Sequence, residues 1–428
     1  MISKNNKIPL YKQLADELIK KINAGEFLPN TKMPTIRALA TEFSINNATV
    51  VSAYKYLEKK QVVYSIQGSG IYVNSLPKPV FVPTITQGYI NFADSSSDPE
   101  LFPKNEFQKS FEAVVARDGA SAFGYTDGFA PLIDVISQMH NLSGNIQIIS
   151  NINHGLNVIL DTLISPGDAV ILESPTSPTA RATFLQRGAK IFEVPIDING
   201  IDLDKLTEFA KKHRPKIFFL MPTYQTPTNI CYTNKDKTYI LQLAHKYNAY
   251  IIEADSYSDF YYKQKPTPMI TMDNDDRVLY IKSFERVFAA GMLGYMVCPK
   301  RQSIQAGGAS GYIQRGLDFY FRNFDYEKHC DAIRAAYAQK YKKAVAAAET
   351  FLSPFCTLFS KSEGGIGLWL KLNNGELPDT AGVIVSPGQL YFSREQTQYF
   401  RLSYANVSPD DISKGIGMLA AVLAKHKG

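Results

Sequence analysis

Pro34-Thr35-Ile36-Arg37-Ala38-Leu39-Ala40, Ser44-Ile45-Asn46-Asn47 and Thr49-Val50-Val51-Ser52-Ala53-Tyr54-Lys55-Tyr56-Leu57 decide how the first part of this chain folds. Thr35 has the hydroxyl of an N-cap and predicts a short helix over Ile36 to Phe43. Ser44 to Asn47 breaks the chain, and a further helix is predicted from about Ala48 to Lys60. Val50, Ala53, Tyr54 and Leu57 form its inward stripe. Upstream, Leu14, Leu18, Ile19 and Ile22 share one face of a helix over Tyr11 to Ile22, which Gly25 would close, and Leu28-Pro29-Asn30 through Met33-Pro34-Thr35 is a turn. Downstream, Val62 to Ser65 and Ile71 to Val73 flank Gln67-Gly68-Ser69-Gly70 and read as two strands around a glycine turn.

Three helices followed by a hairpin make a winged helix-turn-helix, and the charge of the segment suits one. Residues 1–75 hold ten lysines and arginines against five acidic residues, nearly the whole of the chain's +6. A small basic module on an almost neutral body is the electrostatic outline of nucleic-acid binding.

The same runs closely resemble the GntR family, whose members carry P-L-Y-x-Q, P-[ST]-x-R-x-L-A, T-V-x-x-A-Y-x-x-L and G-x-G-x-[YF]-V. Here these are Pro9 to Gln13, Pro34 to Ala40, Thr49 to Leu57 and Gly68 to Val73. The resemblance implies double-stranded operator DNA as the partner. The third helix would enter the major groove and carry Asn46, Asn47 and Thr49 to base edges. Asn47 stands where the family usually has arginine, an amide suited to adenine. The residues leave open that Asn46 and Asn47 only cap the helix. Arg37 and Lys55 would contact phosphates, which position a protein without reading sequence. Gly68 and Gly70 would let the wing turn tightly beside the minor groove.

Leu76 to Pro83 is proline-rich and predicts a stiff, extended linker. The expected division is a DNA-binding domain over 1–75, a linker over 76–90 and a large domain over 91–428, with a small C-terminal α+β subdomain over about 325–428. In the large domain, apolar runs at Ile146 to Ser150, Ala169 to Leu172, Lys190 to Val194, Lys216 to Met221, Tyr250 to Ile252 and Arg277 to Lys282 alternate with helical segments. That alternation predicts an α/β fold with a doubly wound, mainly parallel sheet.

This body resembles the fold-type I aminotransferases, specifically the MocR branch, in which a GntR-like module is fused to that fold. The match runs in order through Gly124 to Leu132, Pro166-Gly167-Asp168, Glu173 to Thr176, Tyr224-Gln225-Thr226-Pro227-Thr228-Asn229, Glu253 to Phe260 and Phe400 to Tyr404. The resemblance implies pyridoxal phosphate as cofactor and a homodimer whose pocket lies at a subunit boundary. It carries cofactor or effector contacts over to Tyr125, Asn153, Tyr224, Asp255, Ser283 and Arg401, with Asp255 on the ring nitrogen and Arg401 on a substrate carboxylate.

Several positions depart from the family pattern. Its S-F-S-K-x-x-x-P-G-x-R-x-G-Y reads Ser283-Phe284-Glu285-Arg286 and on to Gly294-Tyr295, one residue shorter. Arg286 takes the place of the lysine that forms the cofactor imine, and a guanidinium stays protonated and cannot form it. Met292 replaces a phosphate-pairing arginine. Asn151-Ile152-Asn153 replaces the phosphate-cradling turn, Ser177 the stacking aromatic and Ser256 a tyrosine. Strand alternation should aim Lys282, the nearest amine, away from where the family lysine points. No catalytic residue is therefore expected.

Four scattered cysteines without a C-x-x-C pair argue against a zinc site or a disulfide scaffold, so no metal is expected. No apolar run approaches the length that spans a bilayer, and the first residues lack a signal-peptide core, so a cytoplasmic protein is expected. Two functional classes stay open. One is a transcriptional regulator whose body dimerises, either as a bare scaffold or as the sensor of a small carboxylate-bearing effector. The other is an active pyridoxal-phosphate aminotransferase with an accessory DNA-binding module.

Overall fold

A computed structural model describes residues 9–23, 26–27, 31–59, 62–66, 69–74, 88–124, 127–142, 144–288, 293–359, 362–380, 382–394 and 396–426. Its contacts divide the chain into two compact units, Met1–Val80 and Phe81–Gly428. The expected linker Leu76 to Pro83, the cap Gly25 and the turn Leu28 to Asn30 lie outside the described residues.

The first unit has helices Leu10–Asn23, Ile36–Glu42 and Asn47–Lys59, then an antiparallel hairpin of Val63–Ile66 and Gly70–Val73. Leu14, Leu18, Leu39, Val50, Ala53, Leu57, Val63 and Val73 close its core. The predicted stripes of the first and third helices thus meet at one centre, joined by Leu39 and by Val63 and Val73 of the hairpin. Thr35 caps the second helix by accepting from the amide of Ala38 at 3.2 Å. Gly70 sits at φ +138°, and a Cβ there would lie 2.5 Å from Lys32 Cε. The positive φ favours glycine there, whereas the lysine tip could swing aside.

The second unit is built on an eight-stranded sheet, in the order Asn145–Ile149, Gly294–Cys298, Val278–Ser283, Tyr250–Asp255, Ile217–Leu220, Ala169–Ser174, Lys190–Asp197 and Gly200–Ile201. The four pairings from Val278–Ser283 across to Lys190–Asp197 are parallel. Gly294–Cys298 runs antiparallel to both its neighbours and was not anticipated as a strand. All four residues of Ile217–Leu220 are buried, the continuous apolar run of a strand covered on both faces.

Helices Ile152–Leu163 and Pro178–Gln186 cover one face through Leu156, Ile159, Leu160, Ala180 and Phe184. Helices Ala130–His140, Leu203–His213, Asn234–Tyr247 and Gly311–Asn323 cover the other. The C-terminal region holds a second, four-stranded sheet of Cys356–Leu358, Gly367–Leu372, Tyr399–Ser403 and Ser386–Pro387, flanked by helices Tyr326–Ala347 and Pro409–Lys425. Ile90–Asn91 pairs in parallel with Val383–Ile384, so the start of this unit is stitched to its end. That pairing joins residues far apart in sequence, and no local pattern announces it.

Candidate functional site

On the DNA module, Asn46 accepts from both the amide and the hydroxyl of Thr49 at 2.7 Å. Its side-chain carbonyl caps the third helix, and Thr49 is tied to it. Asn47, on the first turn of that helix, is exposed, as are Arg37 on the second helix and Lys55 on the third. Gly68 lies outside the described residues. The wing carries features its sequence did not single out: Tyr64 and Tyr72 stack with centroids 5.7 Å apart, and the Ser69 and Tyr72 hydroxyls lie 2.6 Å apart. Lys32 bridges to Tyr72 in the backbone and is exposed.

In the large unit the predicted residues separate into distinct clusters. Lys282 is 2% exposed at the end of its strand. Its Nζ lies 2.7 Å from Asp259 Oδ2 and 3.6 Å from Asp255 Oδ2, and it also donates to Ser258 Oγ. Burial alone would lower the pKa of this ammonium, but the two carboxylates overcome that and hold it above the ordinary lysine value. Asp255 Oδ1 accepts from the amides of Tyr257 and Ser258 at 3.1 and 2.9 Å, and Oδ2 accepts from Tyr280 at 2.5 Å. Burial raises its pKa, and Lys282 with these donors brings it below the ordinary aspartate value.

His140, on the helix over the same face, is held neutral by burial and by Lys282, its pKa down to about 4. Asp255 therefore belongs with the Tyr280 and Tyr295 face of the sheet. Ala254, beside it, packs on the opposite face with helix Ile152–Leu163. Asp255, which the resemblance sets on a ring nitrogen, accepts here from the Tyr257 and Ser258 amides and the Tyr280 hydroxyl.

Asn153 is exposed in the first turn of helix Ile152–Leu163, its carbonyl bonded to Asn157. Asn151 caps that helix through the amide of His154 at 2.9 Å. Ser177 caps the helix that follows it, accepting from Ala180 at 3.4 Å. Ser283 Oγ accepts from the amide of Glu285 at 3.0 Å and shapes the turn that leads to Arg286. Tyr224, at φ +48°, is 4% exposed and packs onto Gly364, where a Cβ would lie 2.0 Å from its ring. Asn229 holds the same loop through Gly364 O at 2.8 Å. Beneath this turn Glu173 accepts from Met221 N, Tyr232 Oη and Gln225 Nε2 at 2.8, 2.5 and 3.0 Å. Burial pushes its carboxyl up to about 7. Tyr224 and its loop thus join the two sheets of the unit. Tyr125 and Met292 lie outside the described residues.

Arg286 and Arg401 do meet. Arg286 Nη1 donates to the carbonyl of Ser95, and Arg401 Nη1 donates to its hydroxyl. Ser97 Oγ donates to Arg286 O at 2.5 Å. Tyr257 lies under this pair, with the Arg286 guanidinium 6.0 Å from its ring centroid. Burial raises the phenol's pKa, and the two guanidiniums outweigh that and lower it. Sequence reasoning had Arg286 and Arg401 but not Ser95 or Tyr257. The serine lies in Ser95-Ser96-Ser97, which carries no local signal. Tyr257 sits inside the Glu253 to Phe260 run and was passed over there.

Among the described residues no group of His, Cys, Asp and Glu is arranged to hold a metal, and no helix is long and apolar enough to cross a membrane.

Comparison with known proteins joins these parts. The family of class I and II aminotransferases matches residues 102–419, and the bacterial regulatory proteins of the gntR family match residues 10–73. The chain belongs to the class I and II aminotransferase family and carries a GntR helix-turn-helix domain. Among full-length relatives of this two-part aminotransferase-family chain is the uncharacterized HTH-type transcriptional regulator YdfD of Bacillus subtilis, 26% identical over 98% of this chain and 97% of its own. Another is the probable rhizopine catabolism regulatory protein MocR of Rhizobium meliloti, 23% identical over 98% and 94%. The aromatic-amino-acid aminotransferase 1 of Thermococcus litoralis is 26% identical over 80% of this chain and 89% of its own. The kynurenine aminotransferase of Pyrococcus horikoshii superposes on the family fold with a TM-score of 0.73 at 24% identity, covering 80% of this chain and 92% of that one.

Proposed function

We propose that the protein is a sequence-specific DNA-binding transcriptional regulator of the MocR type, acting in the cytoplasm. Its aminotransferase-like body forms a homodimer and senses a small carboxylate-bearing effector without catalysis. The observation that carries this reading is an exposed recognition surface in a chain whose body has its one candidate amine, Lys282, held in an ion cluster. Arg37, Asn47 and Lys55 are exposed on helices of a GntR domain. In the body, a guanidinium at position 286 cannot form an imine. Lys282, the amine four residues before it, is engaged by Asp255, Asp259 and Ser258. Residues that hold pyridoxal phosphate in the family do not fit it here. Asp255 is filled by its own neighbours, Ile152 opens the helix where a small or hydroxylic residue suits a phosphate, and Ser177 offers no ring to stack. The competing reading, a working aminotransferase with an accessory module, requires Lys282 to leave a buried ion cluster.

Salt-dependent gel shifts with the region upstream of the protein's own operon test the DNA reading, since phosphate contacts release counterions. Binding should weaken steeply with salt. Arg37→Ala should weaken all duplexes alike and reduce the salt slope by about one, whereas Asn47→Ala should change base preference. Absence of salt-sensitive binding refutes it.

A further inference from the structure

We propose that a cavity between the main sheet and the C-terminal sheet of the body binds a small aromatic carboxylate, its ring against Trp369 and its acid group at Arg394. The cavity measures about 280 Å³. Ordinary ligand pockets begin at about 300 Å³ and an engineered cavity of about 150 Å³ takes benzene, so one ring with a short substituent fits. Pro195 and Ile196 of strand Lys190–Asp197 and Pro175 after strand Ala169–Ser174 line it from the main sheet; Trp369 and Tyr399 line it from the second sheet. Its lining includes neither Arg286 nor Arg401. The site is thus separate from the Arg401 position that the effector reading uses, and its failure leaves that reading standing.

Four rings line one wall. Trp369 stacks on Tyr399 with centroids 5.5 Å apart and planes 13° off parallel, and Phe392 and Phe359 meet Tyr399 at 5.3 and 6.3 Å. A flat ring extends such a group in offset or edge-on geometry. The mouth is polar, for Ser393, Arg394 and Gln396 line it and are exposed. A ligand with a flat apolar end and a charged end is matched at both. The sign of that charge follows from the groups around the cavity. Glu193 is paired with Arg181 at 3.2 Å and accepts from Ser174 at 3.4 Å and from Ser393, so its charge is already balanced and its oxygens are already bonded. Arg394 has no carboxylate within 4.0 Å among the described residues. Lys371 adds a second positive charge 5.5 Å from the Tyr399 centroid. The excess is positive, and a guanidinium presents a planar fork that suits a carboxylate.

Trp369 is the chain's only tryptophan, so its emission reports on this wall alone. Titration of the full-length protein with benzoate, followed by tryptophan fluorescence and by calorimetry, tests the proposal. Both signals should saturate together, at concentrations up to about 10 mM, the range expected of so small a ligand. Arg394→Gln should weaken benzoate by about tenfold or more, the loss of a charge-assisted contact, and should melt with the unaltered protein because the side chain is exposed. Cyclohexanecarboxylate, which keeps the acid and loses the flat ring, should bind several-fold more weakly. Phe392→Ala, which removes a ring and leaves Arg394 in place, should weaken benzoate and narrow that preference. A tryptophan emission that does not respond overturns the proposal, whether or not calorimetry finds binding elsewhere. Benzoate affinity indifferent to Arg394→Gln overturns it as well. Benzylamine or inorganic phosphate binding as tightly as benzoate overturns the assignment of an aromatic acid.

Discussion

Lys282→Met removes the one ammonium from a cluster that also holds two carboxylates. Asp255 is 2% exposed and lies 3.6 Å from Nζ, and Asp259 lies 2.7 Å from it. Breaking a buried pair by deleting one partner costs about 3–5 kcal/mol, because the remaining charge is left without compensation. Asp255 keeps its two amides and the Tyr280 hydroxyl, which favours the lower end of that range. The second compact unit spans 81–428. At about 2.1 cal/mol/K per residue its unfolding entropy near 60 °C is roughly 0.7 kcal/mol/K, so a loss of about 3 kcal/mol lowers Tm by about 4 °C. Calorimetric melting of the full chain reads this directly. Adding Asp255→Asn to Lys282→Met should recover part of the loss, since it removes one of the stranded charges. A Lys282→Met variant that melts within about 1 °C of the unaltered protein would refute the reasoning. It would mean that the amine is not bound in the cluster and remains available for chemistry.

The body should be a homodimer, and light scattering at micromolar concentration should report about twice the chain's 47.8 kDa; a monomer mass contradicts that. Glu173, its pKa raised by burial from 4.5 to about 7, should make stability fall as pH rises through that interval, because the folded state binds the extra proton. His140, its pKa lowered from 6.5 to about 4, acts with the opposite sign over its own interval, so the Glu173 contribution is read as a difference. Between pH 5 and 8 the stability of Glu173→Gln should fall less than that of the unaltered protein, by on the order of 2–3 kcal/mol. Parallel pH profiles of denaturant unfolding would contradict this.

The helical stripes of Leu14, Leu18, Val50 and Leu57 were legible because each is a local pattern that the first unit's core uses directly. The parallel strands were legible for the same reason, being short apolar runs. What escaped was set by pairing over long sequence distances. Gly294–Cys298 is a strand by virtue of two antiparallel neighbours, and Ile90–Asn91 by its partner near residue 383. In the site, Lys282 is drawn into a cluster with Asp255, Asp259 and Ser258. The pairing of Val278–Ser283 with Tyr250–Asp255 puts Asp255 beside Lys282, a consequence of register that a motif match cannot convey. Ser95 became visible only when two arginines, more than a hundred residues apart in sequence, closed on it.

Intact-mass spectrometry after borohydride reduction shows whether this aminotransferase-fold body, which we propose holds no internal imine, carries one. The protein is purified from cells supplied with pyridoxine, reduced, weighed and mapped by peptide. An unmodified mass and an unmodified Lys282 peptide are expected. One pyridoxyl-phosphate group per chain, fixed on Lys282, would contradict it.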